Sequence, residues 1–271
     1  MLIRCGYDIR FEAATPVPML ALLSIHPSRN QDLRTPHRIA VSPDVPIYDF
    51  VDGFGNVCTR MTVPEGGLDL ACDFVIEDSG APDLLATDEP QLPVAALPDE
   101  VLVYLLASRY CETDRLLDLA WGLFAGAAPG WARVQAIVDY THQRVEFGYH
   151  HARPTKTAWD AHDERRGVCR DFAHLAIALC RCMNIPARYC TGYLGDIGVP
   201  PVDAPMDFSA WFEAYLGGQW YTFDARHNRR RIGRVLMARG RDAADAALTT
   251  TFGPVTLARF EVHTDEVAGI D

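Results

Sequence analysis

The sequence predicts an α+β fold in which a helix with a cysteine at its first residue packs against an antiparallel sheet, behind an N-terminal antiparallel β domain. Residues 3–11 alternate apolar and mostly polar side chains, the pattern of a half-buried strand. Residues 172–183 place apolar side chains at helical spacing, as on one buried stripe. Gly217 and Gly218 separate two strand-like runs, as the loop of a β-hairpin does.

The first part of the chain consists of strand-like runs. After residues 3–11, these runs occupy residues 17–26, 38–50, 57–63 and 68–77, with a turn at residues 52–56. They contain no catalytic constellation. We therefore expect an N-terminal β domain over residues 1–80.

A proline-rich segment then marks a domain boundary. Residues 81–98 contain four prolines among acidic and small residues, which is typical of a linker or an extended arm. We expect residues 99–271 to form the cysteine domain. Its predicted elements are helices at 99–109, 113–124 and 130–145, the helix after Cys169, a strand at 187–194, a glycine- and proline-rich loop at 195–205, the hairpin at 209–224, a helix at 238–247, and one or two strands within 249–262 that could complete a sheet.

Composition disfavours several classes of partner. The 271 residues are 49% hydrophobic, carry a net charge of −11 and have a pI near 5.2. Such a charge disfavours nucleic acid and acidic membranes as partners. There is no apolar run long enough for a membrane span, and the N-terminus lacks the basic-then-apolar order of a secretory signal. We expect a cytoplasmic protein that binds neither nucleic acid nor membranes.

The cysteines indicate a reduced protein without a metal. Eight cysteines are spread along a chain that shows no export signal, which favours free thiols. No Cys-x-x-Cys pair occurs, and the thiols of Cys180 and Cys182 would point about 200° apart on a helix, a poor arrangement for zinc. Because no EF-hand loop is present either, we expect no structural metal, no calcium site and no cofactor.

Cys169 is the candidate nucleophile. It lies in Arg166-Gly-Val-Cys-Arg-Asp-Phe-Ala-His174, at the start of the predicted helix. The exposed N–H groups and the dipole of a helix start favour a thiolate, and Arg170 adds a neighbouring positive charge. A cysteine in a cytosolic chain is more often a small buried hydrophobe. The flanking glycine and charges distinguish Cys169 from that common case.

These residues resemble a known family. The segment Gly167-Val-Cys-Arg-Asp-Phe-Ala-His-Leu175 and the motifs that follow it look like the core of the bacterial transglutaminase-like superfamily, over roughly residues 130–230. The following motifs are Asn184-Ile-Pro-Ala-Arg-Tyr189, Thr191-Gly-Tyr193, Ala210-Trp-Phe-Glu-Ala-Tyr215, Trp220-Tyr-Thr-Phe-Asp224 and Asn228. The resemblance implies a papain-like triad that performs acyl transfer or amide hydrolysis, with Cys169 as the cysteine and Asp224 as the aspartate.

The triad histidine of this family does not carry over. It precedes the Ala-Trp pair, where this chain has Ser209. If Leu216 pairs with Gln219 in the hairpin, residue 209 faces Arg226 and lies diagonally across one sheet face from Asp224, about 7–8 Å away. A histidine at position 209 would reach Asp224, whereas a serine is too short.

Other histidines are candidates for the missing base. His227 is the nearest in sequence, but in the same register it opposes Phe208 and points to the other face, unless a slip or a bulge follows Asp224. His174 lies about 140° around the helix from Cys169 and is expected to cap or pack. The remaining candidates are expected to be solvated loop residues: His150, His151 and His162.

Three functions are compatible with these residues. The first is a cysteine amidase, peptidase or acyltransferase that acts on peptide or glutaminyl amides through a Cys169 thioester. The second is a catalytically silent module that binds a peptide or a protein, as Ser209 would suggest. The third is redox sensing at Cys169 without a histidine. The basic run 226–234 could recognise an anionic group or could be a solvated face.

Overall fold

The computed structural model describes residues 1–201 and 206–269, so the predicted loop at 195–205 lies partly outside the described residues. Within them the elements are β1 (Leu2–Glu12), β2 (Val17–Ala21), β3 (Ala40–Ser42), β4 (Tyr48–Val51), β5 (Val57–Val63), β6 (Leu68–Glu77), α1 (Asp99–Leu102), α2 (Thr113–Phe124), α3 (Trp131–Arg144), β7 (Glu146–Phe147), α4 (Ala158–Glu164), β8 (Arg166–Gly167), α5 (Cys169–Cys182), β9 (Ala187–Leu194), β10 (Ser209–Leu216), β11 (Gln219–Phe223), β12 (Arg234–Gly240), β13 (Thr249–Thr251) and β14 (Thr256–Val267). The predicted α+β class is confirmed.

The N-terminal strands form two four-stranded antiparallel sheets, ordered β14-β1-β6-β3 and β13-β2-β5-β4. The alternation predicted for β1 is confirmed, because its odd-numbered side chains from Ile3 to Phe11 are buried. The last strand, β14, pairs with β1 along its whole length, from Leu2 opposite Val267 to Glu12 opposite Thr256. The C-terminal strands thus complete the sheets that the first residues begin. The division of the chain into domains at residues 81–98 stays a prediction.

A third antiparallel sheet, ordered β11-β10-β9-β12, packs against α5. The predicted hairpin register is confirmed over five pairs, from Leu216 opposite Gln219 to Phe212 opposite Phe223. Pairing ends there, so the predicted facing of Ser209 and Arg226 does not form. The chain instead turns after Phe223.

The helix α5, which begins at Cys169, lies at the centre of a hydrophobic core. Every residue from Asp171 to Cys182 is buried. The prediction that only one face of this helix is buried is therefore wrong, because protein surrounds the helix on all sides. The helix contacts β9 and β10 on one side and α2, α3 and α4 on the others. At its start, the N–H of Val168 donates to the Asp171 carboxylate at 3.0 Å. At its end, Asn184 adopts a left-handed backbone conformation, φ 61°, which stops the helix.

Two predicted helices differ in the structure. The helix predicted at 238–247 is wrong, because β12 extends to Gly240 and pairs with β9 before the chain turns at Asp242. Pairing with a central strand outweighs the helix propensity of the alanines there. The helix predicted at 99–109 is shortened to α1, followed by a 3-10 turn at Val103–Leu105. None of the helices in residues 1–201 and 206–269 has the length and apolar character needed to cross a membrane.

Residues 81–98 extend along the cysteine core. The carbonyl of Glu89 accepts the N–H of Trp131 at the start of α3 at 3.0 Å, and the carbonyl of Pro90 accepts the N–H of Gly217 in the hairpin loop at 2.9 Å. The Gln91 amide donates to the carbonyl of Met183 at 2.8 Å, just after α5. This segment therefore connects α3, the end of α5 and the loop of the β10–β11 hairpin through hydrogen bonds.

Candidate active site

Cys169 lies in a cleft formed by two adjoining cavities. The first, here called the His227 cavity, has a volume of about 380 Å³ and contains Ser209, Arg226 and His227 in its wall. The second, here called the Leu248 cavity, has a volume of about 440 Å³ and is mainly apolar. Both cavities share the wall residues Tyr149, Cys169, Asp207 and Phe208. An elongated ligand could therefore pass over the sulfur.

Cys169 is partly exposed, and the other seven cysteines of the chain are buried. Its position at the first residue of α5 is as predicted, and all eight cysteines are free thiols. Partial exposure at a helix start makes Cys169 the thiol that a reagent or substrate reaches most directly.

The resting ionisation of Cys169 differs from the prediction. Although the residue is partly exposed, the protein atoms that surround its sulfur raise the pKa of the thiol to about 11, and this desolvation outweighs Arg226 and the N–H groups of Ala210 and Arg170, which lower that pKa. The Asp207 carboxylate raises the pKa of the thiol further. The helix start alone thus does not produce a thiolate at neutral pH, and a base would have to remove the thiol proton before the sulfur could act as a nucleophile.

The turn after β11 pairs Asp224 with His227. The N–H of Asn228 donates to the Asp224 carbonyl at 2.8 Å, and the N–H of His227 donates to Asp224 Oδ1 at 3.0 Å. These bonds place His227 Nδ1 2.9 Å from Asp224 Oδ2. Because an ionised carboxylate only accepts hydrogen bonds, a neutral His227 imidazole carries its proton on Nδ1 and leaves Nε2 as the acceptor.

Asp224 is held in its ionised form. Its burial opposes ionisation, but Arg234, followed by His227, keeps the pKa of this carboxyl well below its usual range. Arg234 Nη2 donates to Asp224 Oδ2 at 2.9 Å, and its Nε donates to Asp83 at 2.9 Å. The carboxylate can therefore hold the imidazole of His227 in one tautomer and orientation.

The turn corrects two predictions. His227 does not point away from position 209, since it lines the same cavity as Cys169 and Ser209. Asp224 does not meet position 209 across a sheet face, because its side chain is directed to His227 and Arg234. The physical reason is that an aspartate that accepts backbone N–H groups nearby favours a turn over a further strand residue.

Ser209 lies at the start of β10, opposite Gly192 of β9. Its side chain is buried, and within the described residues its hydroxyl has no hydrogen-bond partner. The serine thus lines the His227 cavity without contacting Asp224.

The other predicted histidine candidates lie elsewhere. His174 is fully buried, stacks on Tyr110, and accepts the N–H of Ala243 at 3.1 Å, so it packs as expected. His162 is in α4 and lies 3.1 Å from the Tyr140 hydroxyl, so the expectation of a solvated loop residue is wrong. His150 and His151 form a 3-10 turn with Tyr149.

Sequence reasoning missed Asp83, Asp207 and Arg234. Asp83 and Arg234 are 151 residues apart, and no motif connects them. Asp207 stands two residues before Ser209, and only its proximity to Cys169 in space reveals its effect on the thiol. Within the part of the chain that the structure describes, no group of three or more metal-ligating side chains could hold a metal ion.

Comparison with known proteins identifies the family. Residues 118–225 match the model of the transglutaminase-like superfamily. A solved structure from Cytophaga hutchinsonii, described as that of a candidate cysteine protease, is 31% identical, with a TM-score of 0.83 over 100% of this chain and 92% of that one. The chain belongs to the transglutaminase-like superfamily. The helix α5 and the antiparallel sheet against which it packs form the papain-like core of that superfamily.

Sequence relatives of the chain include uncharacterized mycobacterial proteins. One from Mycobacterium leprae is 25% identical over 221 residues, which cover 78% of this chain and 77% of the relative. One from Mycobacterium tuberculosis is 27% identical over 213 residues, which cover 72% and 68%. Neither relative has a described activity.

Proposed function

We propose that this protein is a cysteine-dependent amide hydrolase or acyltransferase that acts on peptide or protein amides, with Cys169, His227 and Asp224 as its triad. The observation that carries the proposal is the hydrogen bond between His227 Nδ1 and Asp224, beside a cavity that also contains Cys169. In this proposal His227 replaces the family histidine whose position Ser209 occupies.

The proposed reaction begins with a substrate carbonyl above Cys169. His227 Nε2 removes the thiol proton as sulfur attacks the carbonyl carbon, and backbone N–H groups at the start of α5 stabilise the oxyanion. The tetrahedral intermediate collapses to a thioester when the C–N bond breaks and His227 donates the proton to the leaving amine. Water or a second amine then attacks the thioester, with His227 again as the base, and restores the thiol.

The raised pKa of Cys169 is consistent with this order of events. A thiol with a pKa of about 11 carries little thiolate at neutral pH, so removal of the proton must accompany attack. Ionised Asp224 stabilises the imidazolium that forms in that step, because it accepts the hydrogen bond from Nδ1.

A catalytically silent binding module is the second candidate, and the same raised thiol pKa favours it. In that case the cleft binds a peptide, and the thiol stays protonated. The location in the cytoplasm stays a prediction.

The replacement of His227 tests the proposal. We expect His227→Ala to lower the release of amine from glutaminyl and peptide amides by about 10²–10⁴-fold, the usual contribution of a general base. Ser209→His should change that rate little, because the imidazole of His227 already forms the hydrogen bond with Asp224. His263→Ala is the matched control, since His263 also lies 3.1 Å from an aspartate, Asp73, but outside this cleft.

The opposite pattern supports the silent module. If the wild-type protein releases no amine and Ser209→His creates activity, the family histidine is lost without replacement. If both variants and the wild-type protein are inactive towards every amide, the enzyme proposal is wrong.

A further inference from the structure

The His227 cavity contains a concentration of positive charge in a chain that is acidic overall. Arg226, Arg229 and Arg231 line this cavity together with His227, whereas its carboxylates are Asp196 and Asp207. Burial raises the pKa of Asp207, and the positive charge of Arg226 opposes that shift, so three arginines face two carboxylates in this cavity. The net charge of the whole chain is −11, so general basicity does not explain this local excess.

Two of these arginines are available to a ligand. The Arg226 guanidinium lies 3.8 Å from the centre of the Phe147 ring, a contact that orients its plane without using its N–H groups. Among the described residues, the side chains of Arg226 and Arg229 make no hydrogen bond or ion pair. Arg231, in contrast, donates to the Gly195 carbonyl at 2.8 Å and lies 3.8 Å from Asp196.

The arginines that line the Leu248 cavity, among the residues the structure describes, are already paired. Its Arg153 is paired with Asp160 and Glu164 at 3.1 and 2.9 Å, and its Arg170 is paired with Asp171 at 3.1 Å. Much of the remaining wall is apolar and small, with Ala243, Ala246 and Leu248 among its members. The two ends of the cleft therefore differ in charge on either side of Cys169.

We propose that the His227 cavity binds a carboxylate through Arg226 and Arg229, so that the preferred substrate is an acidic peptide. A guanidinium with free N–H groups matches a carboxylate in planar, two-bonded geometry and binds it more strongly than it binds a neutral amide. The identity of the substrate rests on the proposed function, whereas carboxylate binding in the cavity does not.

Alkylation of Cys169 by iodoacetate and by its neutral analogue iodoacetamide tests carboxylate binding without turnover. Both reagents react with the same thiolate and release iodide, so the ratio of their rates cancels any change in the thiol pKa. We expect this ratio to exceed that of free cysteine, and Arg226→Gln or Arg229→Gln to lower it by about tenfold, as loss of a charged hydrogen bond would.

Arg230→Gln is the matched control. It removes the same charge from a neighbouring residue that does not line the His227 cavity and donates instead to the Asp83 carbonyl. Circular dichroism verifies that each variant is folded. A ratio equal to that of free cysteine, or one that neither Arg226→Gln nor Arg229→Gln changes, overturns the proposal.

Protection of Cys169 from iodoacetamide distinguishes the source of the carboxylate. Protection by N-acetylglutamate amide but not by N-acetylglutamine indicates an acidic side chain, and the reverse indicates a chain terminus. Protection by neither overturns the proposal. If the protein prefers carboxylates but cleaves no amide, the carboxylate site stands and only the enzyme proposal is wrong. If the protein cleaves amides but shows no preference for carboxylates, only the proposal of this site is wrong.

Discussion

The chemistry of Cys169 depends on a few neighbouring charges. Its pKa reflects burial and Asp207 on one side, and Arg226 with the N–H groups of Ala210 and Arg170 on the other. Burial is the largest of these effects. Added to it, a neighbouring positive charge lowers the pKa of the thiol and a neighbouring negative charge raises it.

Asp207→Asn should lower the pKa of Cys169, because it removes the negative charge that disfavours the thiolate. Arg226→Gln should raise that pKa for the opposite reason. The pH dependence of iodoacetamide labelling, followed at Cys169 by mass spectrometry, measures both changes. If the pH dependence of labelling is unchanged in both variants, the charges of Asp207 and Arg226 do not affect the pKa of the Cys169 thiol.

Asp224→Asn should lower any amidase rate by about 10²–10⁴-fold, because an amide no longer fixes the tautomer that makes His227 a base. Steady-state kinetics with a glutaminyl peptide measures this loss. Activity equal to that of the wild-type protein would exclude Asp224 from the triad.

Asp224→Asn also tests how the ionisation of Asp224 contributes to the pH dependence of the free energy of unfolding. The folded-state pKa of Asp224 is depressed, so its ionisation stabilises the fold above the unfolded-state pKa of about 3.9, and this contribution is lost as the pH falls below that value. Urea unfolding should therefore show a smaller acid loss of stability for Asp224→Asn than for the wild-type protein between pH 5 and pH 3. Parallel curves for the two proteins would contradict this.

Among the helices and strands, local sequence patterns explain α5 and the β10–β11 hairpin. Close packing explains how neighbouring strands such as β9 fit around them. The apolar repeat of residues 172–183 predicts α5, and the Gly217-Gly218 loop predicts the register of β10 and β11. The turn at Asp224 is harder to predict, because a short hydrogen-bonded turn and a continued strand have similar sequences.

Gly192 shows how tightly β9 fits between its neighbours. A Cβ at this residue would clash with the Val235 carbonyl oxygen of β12, so the strand must move to accept a side chain. We expect Gly192→Ala to lower the free energy of unfolding by about 1–3 kcal/mol, as overpacking does. Urea denaturation measures the change.

Gly122→Ala is the matched control. Gly122 lies in α2, and a Cβ there would meet nothing within 4 Å. This substitution should raise the free energy of unfolding by about 1 kcal/mol, because alanine favours a helix interior. Equal effects of the two substitutions would show that the packing at Gly192 has no special cost.

At the scale of the whole molecule, the N-terminal sheets support the cleft. Phe208, in the wall of both cavities, packs against Tyr7 of β1, Tyr193 of β9 and Phe260 of β14, with ring centres 6.1, 5.0 and 5.8 Å away. The core cluster around Phe208 also contains Val235 from β12. The sheet β11-β10-β9-β12 and the N-terminal sheets thus bury shared apolar side chains.

We expect residues 99–271 expressed alone not to form a stable fold, because removal of β1 exposes this shared core and leaves β14 without its partner. Circular dichroism and thermal unfolding, compared with the full-length chain, measure the outcome. A cooperative transition in the isolated segment near that of the full chain would show that residues 99–271 form an independent domain.

Sequence patterns are sufficient to predict the α+β class, the helix that begins at Cys169 and the hairpin register, because each depends on periodicity or on adjacent residues. The raised pKa of Cys169, the pairing of His227 with Asp224 and the pairing of β14 with β1 follow only from the folded arrangement. These features depend on burial and on contacts between distant segments, such as Asp83 with Arg234. Local sequence patterns carry no record of such contacts, because the contacts form only when the chain has folded.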